Sequence, residues 1–166
     1  MRIDYRKVMD VLHLTCVVVA GLALVLIAGV IPWAVYTRYV LNSAASWPEP
    51  TAVLLTIVLT FFGAAACYRE GVHMRVTVLT DILPPVLQRA AMVLRETLVA
   101  LMGLFMAGFG WKLVEATWQN SIAEFPALSV GVTYLPIPIG AVVLLLFVIE
   151  RLTIGLPFES SSIAVD

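Results

Sequence analysis

The sequence predicts an all-α integral membrane protein with four transmembrane helices and an interfacial amphipathic segment between helices 2 and 3. Of the 166 residues, 61% are hydrophobic and only 13% are charged, whereas soluble domains carry about 25% charged residues. A chain of this size cannot bury so much apolar surface by its own folding. We expect a single membrane domain over residues 1–166, with spans at about 11–37, 50–68, 90–114 and 135–154.

The first apolar run, residues 11–37, contains 27 residues without Asp, Glu, Lys or Arg. Arg2, Arg6 and Lys7 precede it, as basic residues precede the apolar region of a signal peptide. Signal-peptide apolar regions are only about 7–15 residues long, so this run predicts a retained membrane anchor. Pro32 near its far end predicts a kink rather than a break.

The second apolar run, residues 50–68, is flanked by residues that predict where its helix starts and ends. Ser46 and Glu49 match the capping box S-x-x-E at a helix N-terminus. Gly71 predicts the end, because glycine readily adopts the left-handed conformation found there. Residues 73–83 then combine polar and apolar side chains in a pattern that favours a helix in the headgroup plane.

The third span is predicted to be longer than a bilayer requires, and prolines are predicted to mark the start of the fourth. A continuous helix over residues 86–116 would be about 46 Å long, longer than the roughly 30 Å hydrocarbon core, so it should tilt or project on its charged side. Pro136 and Pro138 suit the first turn of the fourth helix. The serine-rich tail, residues 159–166, is predicted to be disordered.

Small side chains cluster in two of the spans, at residues 63–67 and at Gly103, Ala107 and Gly110. Small residues let helix backbones approach closely inside a bilayer. Cys16 and Cys67 lack a CxxC partner, so we expect two small buried apolar side chains rather than a metal site.

Basic residues concentrate on one side of this topology, which is the side expected to be cytoplasmic. That side carries Arg2, Arg6, Lys7, Arg69, Arg75, Arg89, Arg95 and Arg151, whereas the other carries Arg38 and Lys112. Both termini are therefore predicted to be cytoplasmic.

The spans are nearly free of ionisable side chains, whereas transporters of protons or ions usually keep such groups near the bilayer midplane. Thr56 and Thr60 are expected to bond their own helix backbone. The sequence contains no hydrolytic motif, phosphate-binding loop or metal cluster, so neither enzyme activity nor a cofactor or metal is predicted. The net charge of −1 gives no support for nucleic-acid binding.

Two alternative functions remain open. His13 and His73 could hold a haem between them, as in the haem-anchoring membrane subunit of a redox enzyme. That site requires both imidazoles to point at one iron. The other alternative is a small self-assembling channel or exporter, which would need a membrane-embedded acid.

Six residues are candidates for partner or lipid contacts. Trp47 and Glu49 open the second span on the outer side and could anchor a partner protein, although Glu49 also gains from the helix dipole. The inner candidates are Arg69, Gly71, His73 and Arg75. A basic side chain near anionic headgroups contributes about 1 kcal/mol to membrane binding.

Four segments, taken in order, resemble a known family. They are RYVLN at 38–42, SWPE at 46–49, GAAACYREGVHMRV at 63–76 and SIAEFPALSVGVTYLPIPIG at 121–140. Their order and spacing resemble the small membrane subunit of tripartite ATP-independent periplasmic (TRAP) transporters, the DctQ-like family, over nearly the whole chain. Pro50 stands where the family often has a second acid, and Thr77 where an acid is common.

The resemblance implies a role in a bacterial inner-membrane transporter. The implied partners are a large DctM-like membrane subunit, which carries solute and sodium, and a periplasmic substrate-binding protein, which delivers a solute that is often a carboxylate. The large subunit would move as an elevator and this chain would be its fixed scaffold, in contact with phospholipids.

Overall fold

The computed structural model describes residues 2–43, 45–71, 85–122 and 125–154. Three long helices come first: α1 (Arg2–Tyr39), α2 (Pro48–Arg69) and α3 (Pro85–Thr117). They are followed by β1 (Ser121–Ile122), β2 (Phe125–Ser129), α4 (Val130–Tyr134) and α5 (Pro136–Ile154).

Four helical segments are long and apolar enough to cross a membrane, with α4 and α5 together forming the fourth. The predicted fold class is therefore confirmed. The predicted interfacial segment at 73–83 and the tail at 159–166 lie outside the described residues.

The end of α2 confirms the prediction made from Gly71. That glycine has a φ of 71°, in the left-handed region where a Cβ would be strained. Its amide donates to the Tyr68 carbonyl at 3.1 Å, and the Glu70 amide donates to the Ala66 carbonyl at 3.2 Å. These bonds satisfy carbonyls that the end of a helix leaves unpaired.

The start of α2 does not form the capping box predicted from Ser46 and Glu49. Trp47 is the N-cap residue, and no side chain caps the helix. Pro48 occupies the first helical position, which proline favours because of its fixed φ. The helix therefore begins one residue later than the capping box requires, and the tryptophan at the N-cap has no side-chain oxygen to accept from an N–H of the first turn.

The helices pack in the order α1, α2, α5, α3, so α5 lies between α2 and α3. In the most apolar stretch of the fourth span, 39% of the residues are buried. In the corresponding stretch of each of the other three spans, only 17% are buried. Large apolar side chains on α1 and α3 are consequently left exposed, as lipid or a partner protein would require.

Close helix contacts within the chain depend on glycines, of which Gly103 belongs to a predicted small-residue face, whereas Gly140 was not predicted. A Cβ added to Gly103 of α3 would lie 3.0 Å from Leu145 Cδ2 of α5. A Cβ added to Gly140 of α5 would lie 2.7 Å from Phe61 Cβ of α2. Gly108 has no such neighbour within 4 Å.

The small-residue patch at 63–67 is only partly buried. Ala65 and Ala66 are 0% and 5% exposed. Cys16 is buried as predicted, but Cys67 is exposed, so the prediction was wrong for the second cysteine. Successive side chains of a helix are about 100° apart around its axis, so Cys67 points away from the face on which Ala66 is buried.

Two hydroxyls inside α2 bond as predicted. Thr56 Oγ1 donates to the Ala52 carbonyl and Thr60 Oγ1 to the Thr56 carbonyl, each at 2.7 Å. Neither hydroxyl therefore needs a partner outside its own helix.

The connection between α3 and α4 contains a two-stranded antiparallel ribbon that no pattern in the sequence predicted. Ser129 ends the ribbon, with its hydroxyl donating to the Trp118 carbonyl at 2.6 Å and accepting from the Gly131 amide at 3.1 Å. These bonds hold the start of α4 against the end of α3. A first strand of two residues is too short to show alternation in the sequence.

The helices define two ends of the molecule. The loop end contains residues 40–43 and 45–47 and the ribbon. The charged end contains the last turn of α2 and the last turns of α5. The helices alternate in direction, so positions far apart in sequence meet at each end.

Candidate functional site at the charged end of the helices

Ionisable side chains from all four long helices meet at the charged end. This group, the charged layer, consists of Asp10, His13, Tyr68, Arg69, Glu70, Arg95, Glu96, Glu150 and Arg151. Each helix contributes at least two members.

Arg69 is the centre of one half of the charged layer. Its Nε and Nη2 donate to the two carboxylate oxygens of Glu150, both at 2.9 Å. Its Nη2 also donates to Asp10 Oδ1 at 2.6 Å. Arg69 and Glu150 are 5% and 3% exposed, and a paired, bidentate geometry is what makes such burial tolerable. One guanidinium therefore joins α1, α2 and α5.

An aromatic ring completes the environment of this guanidinium. Arg69 Cζ lies 5.5 Å from the centre of the Phe147 ring, within the range of a cation–π contact. Phe147 is 1% exposed and precedes Glu150 by one helical turn. Helix α5 thus presents a ring and a carboxylate to Arg69 from the same face.

Glu96 is the centre of the other half of the layer. Its carboxylate accepts from the Tyr68 hydroxyl, from Arg95 Nη2 at 2.6 Å and from Arg151 Nε at 3.1 Å. Arg151 also lies over the Tyr68 ring, with Cζ 5.6 Å from its centre. One carboxylate therefore joins α2, α3 and α5.

The two halves are continuous because their members are neighbours in the chain. Tyr68 adjoins Arg69 on α2, and Glu150 adjoins Arg151 on α5. A shift of either helix would strain both halves at once. The charged layer consequently couples the positions of the four long helices.

His13 lies at the edge of the layer. Its Nε2 is 3.3 Å from Glu70 Oε1, and its ring packs edge-on against Phe147 with centroids 6.4 Å apart. Its proposed haem partner, His73, lies outside the described residues, so the haem alternative stays untested. Within the described ranges, no three His, Cys, Asp or Glu side chains are grouped as a metal site.

The structure separates the six predicted contact residues. Trp47 is 40% exposed at the loop end, where Glu49 is exposed on the first turn of α2. Arg69 and Gly71 lie at the opposite end of that helix. His73 and Arg75 lie outside the described residues.

The position of Arg69 corrects its predicted role. We expected a guanidinium in contact with a partner protein or with lipid headgroups, but this side chain is buried and bound to two carboxylates of its own chain. Sequence reasoning missed Glu150 as its partner. A signal was available, since an acid within the apolar run at 135–154 requires a partner inside the protein.

Comparisons with known proteins agree with the resemblance. Residues 27–156 match the model of the DctQ component of tripartite ATP-independent periplasmic transporters. A protein of Haemophilus influenzae named for a TRAP transporter small permease is 29% identical over 118 residues, covering 71% of this chain and 73% of the relative. The sialic acid TRAP transporter small permease protein SiaQ of Vibrio cholerae is 23% identical over 127 residues, covering 74% of this chain and 70% of the relative.

The family match covers most of the chain, and four membrane-length helices fit a multi-pass inner-membrane subunit. The chain belongs to the DctQ family, the small permease subunits of TRAP transporters.

Proposed function

We propose that this chain is the non-catalytic scaffold subunit of a sodium-coupled TRAP transporter for a carboxylate-type solute. It braces a large elevator subunit in the membrane and helps to dock a periplasmic binding protein. The carboxylate assignment is supported by the relative from Vibrio cholerae, whose name specifies sialic acid, a carboxylic acid.

The observation that carries the scaffold proposal is the charged layer. Its buried Arg69 and Glu150 bind each other rather than leaving groups open for a solute or an ion. Because the layer ties all four helices, sliding one helix would break buried ion pairs. An elevator needs a part that stays still while its transport domain moves, and a cross-linked set of helices meets that need.

The loop end is the proposed docking side. The distribution of basic residues supports a cytoplasmic charged end and a periplasmic loop end. Trp47 and Glu49 would then face the binding protein, while Gly71, His73 and Arg75 would lie near the large subunit and the inner headgroups. Trp47 is a suitable contact because exposed tryptophans are frequent anchors of protein interfaces.

Reconstitution in vesicles tests the division of roles. The chain alone should leave gradients of sodium and of a carboxylate solute unchanged, whereas the chain with its large subunit and binding protein should accumulate the solute. Uptake by the chain alone would overturn the scaffold proposal and favour the channel or exporter.

Docking is tested in the complete transporter. Trp47→Ala should raise the concentration of binding protein needed for half-maximal uptake without changing which solute is selected. Trp33→Ala is the matched control, because Trp33 is similarly exposed (49%) on the span of α1. Equal effects of the two substitutions would remove Trp47 from the docking surface.

A further inference from the structure

A half-open groove of about 580 Å³ lies between α1 and α2 near the loop end. Val30 and Ala34 of α1 form one wall, and Ala52 and Ile57 of α2 form the other. The volume falls within the roughly 300–1,000 Å³ typical of ligand clefts. The walls are apolar except for Thr56, whose hydroxyl is already bonded to the Ala52 carbonyl, so they suit a ligand with an apolar body.

The mouth of the groove carries one charge of each sign. Arg38, in the last turn of α1, and Glu49, in the first turn of α2, both line it. In the part of the chain that the structure describes, neither side chain forms an ion pair, with the other or with a third residue. Both are exposed and available to a ligand.

The groove runs along most of one leaflet of a bilayer, whose hydrocarbon is about 15 Å thick. From Arg38 to Val30, and from Glu49 to Ile57, each wall extends for eight residues, or about 12 Å along the helix axis. Tyr39 also lines the mouth, and Trp33 and Tyr36 on the same part of α1 contact each other at a tilt, with ring centroids 6.0 Å apart. Aromatic side chains of this kind mark the interface between headgroups and hydrocarbon.

From these observations, we propose that the groove binds one zwitterionic phospholipid with a phosphoethanolamine headgroup. The phosphate lies on Arg38, the ammonium lies on Glu49, and one acyl chain follows the apolar walls between α1 and α2. The pair of opposite charges is the selective element, because the carboxylate attracts an ammonium and repels a purely anionic headgroup.

This assignment does not depend on the proposed transport function. It requires only that the two helices cross a membrane, which their length and composition support. A scaffold that failed in the transport assay could still bind the lipid, and the reverse also holds.

Native mass spectrometry of the full chain tests the proposal. The chain is exchanged into micelles containing equal amounts of phosphatidylethanolamine and phosphatidylglycerol, and the lipids that it retains are counted. We expect one phosphatidylethanolamine per chain. Arg38→Gln should lower its retention about fivefold, the factor corresponding to about 1 kcal/mol per basic side chain at a membrane surface. Glu49→Gln should remove the preference over phosphatidylglycerol.

Two further substitutions locate the acyl chain. Ala52→Phe fills the groove and should abolish retention. Val25→Phe is the control, because Val25 is 68% exposed on α1 and does not line the groove. Equal retention of the two lipids by the unaltered chain, or unchanged retention in both Arg38→Gln and Ala52→Phe, would overturn the assignment.

Photo-cross-linking in cells distinguishes the lipid from a helix of another protein. Val53 lines the groove and is 52% exposed, so a photoreactive amino acid there would label the occupant. A lipid adduct supports the proposal. A cross-link to another membrane protein would overturn it and identify the groove as a helix-binding surface.

Discussion

Replacing Arg69 by methionine would leave the Glu150 carboxylate buried without its guanidinium. Glu150 is 3% exposed, so water cannot replace the two lost hydrogen bonds. Removing one partner of a buried ion pair costs about 3–5 kcal/mol. We expect the free energy of unfolding to fall by that amount, because methionine retains much of the apolar stem but none of the charge.

The contact between Arg69 and Asp10 should contribute much less. The Asp10 side chain is 64% exposed, and exposed pairs contribute only about 0–1 kcal/mol. Asp10→Asn is therefore the matched control for the loss of one ion pair of the same arginine. The double variant Arg69→Met/Glu150→Met should regain the stability of the unaltered chain or exceed it, because apolar pairs of similar volume often replace buried ion pairs without loss.

The assay is reversible unfolding in mixed micelles, with the fraction of denaturing detergent as the variable and helix content as the signal. Arg69→Met should unfold at a clearly lower fraction than Asp10→Asn. If these two single variants were equally stable, or if the double variant were the least stable of all, the inferred buried pair would be refuted.

Three further predictions concern stability measured in the same way. Gly140→Ala should cost about 1–3 kcal/mol by overpacking against α2, whereas Gly108→Ala, in open space, should be neutral or stabilising; equal effects would contradict the close approach at Gly140. Gly71→Ala should cost about 1–2 kcal/mol because its φ is left-handed, and no loss would mean that α2 ends differently. Tyr68→Phe should cost about 1.5–3 kcal/mol, since it removes a hydrogen bond to the Glu96 carboxylate, which is only 11% exposed. Tyr39→Phe, at an exposed site, should change stability by less than about 0.5 kcal/mol.

Some boundaries of the fold were predictable because their causes are local. Gly71 was expected to end α2 and does so in a left-handed conformation. Pro136 was expected to open the last helix and is its first residue. In both cases the residue's own backbone preference determines the structure.

Other features depended on contacts that a linear pattern does not contain. The S-x-x-E match at Ser46 failed because the helix begins one residue later, with Trp47 as its N-cap and Pro48 as its first residue. Cys67 was assigned to the interior from its apolar neighbours, yet the packing of α2 leaves it exposed. Composition indicates that a helix is buried in a membrane, but not which of its faces meets another helix.

The sequence by itself determined four membrane-crossing helices, because a bilayer forces long apolar runs to satisfy their backbone hydrogen bonds internally. Only the tertiary structure decided that Arg69 pairs with Glu150, 81 residues away, and not with headgroups. It also decided that Arg38 and Glu49 share one groove. A charged side chain pairs with whichever opposite charge lies nearest in space. That distance is set by the order in which α1, α2, α5 and α3 pack.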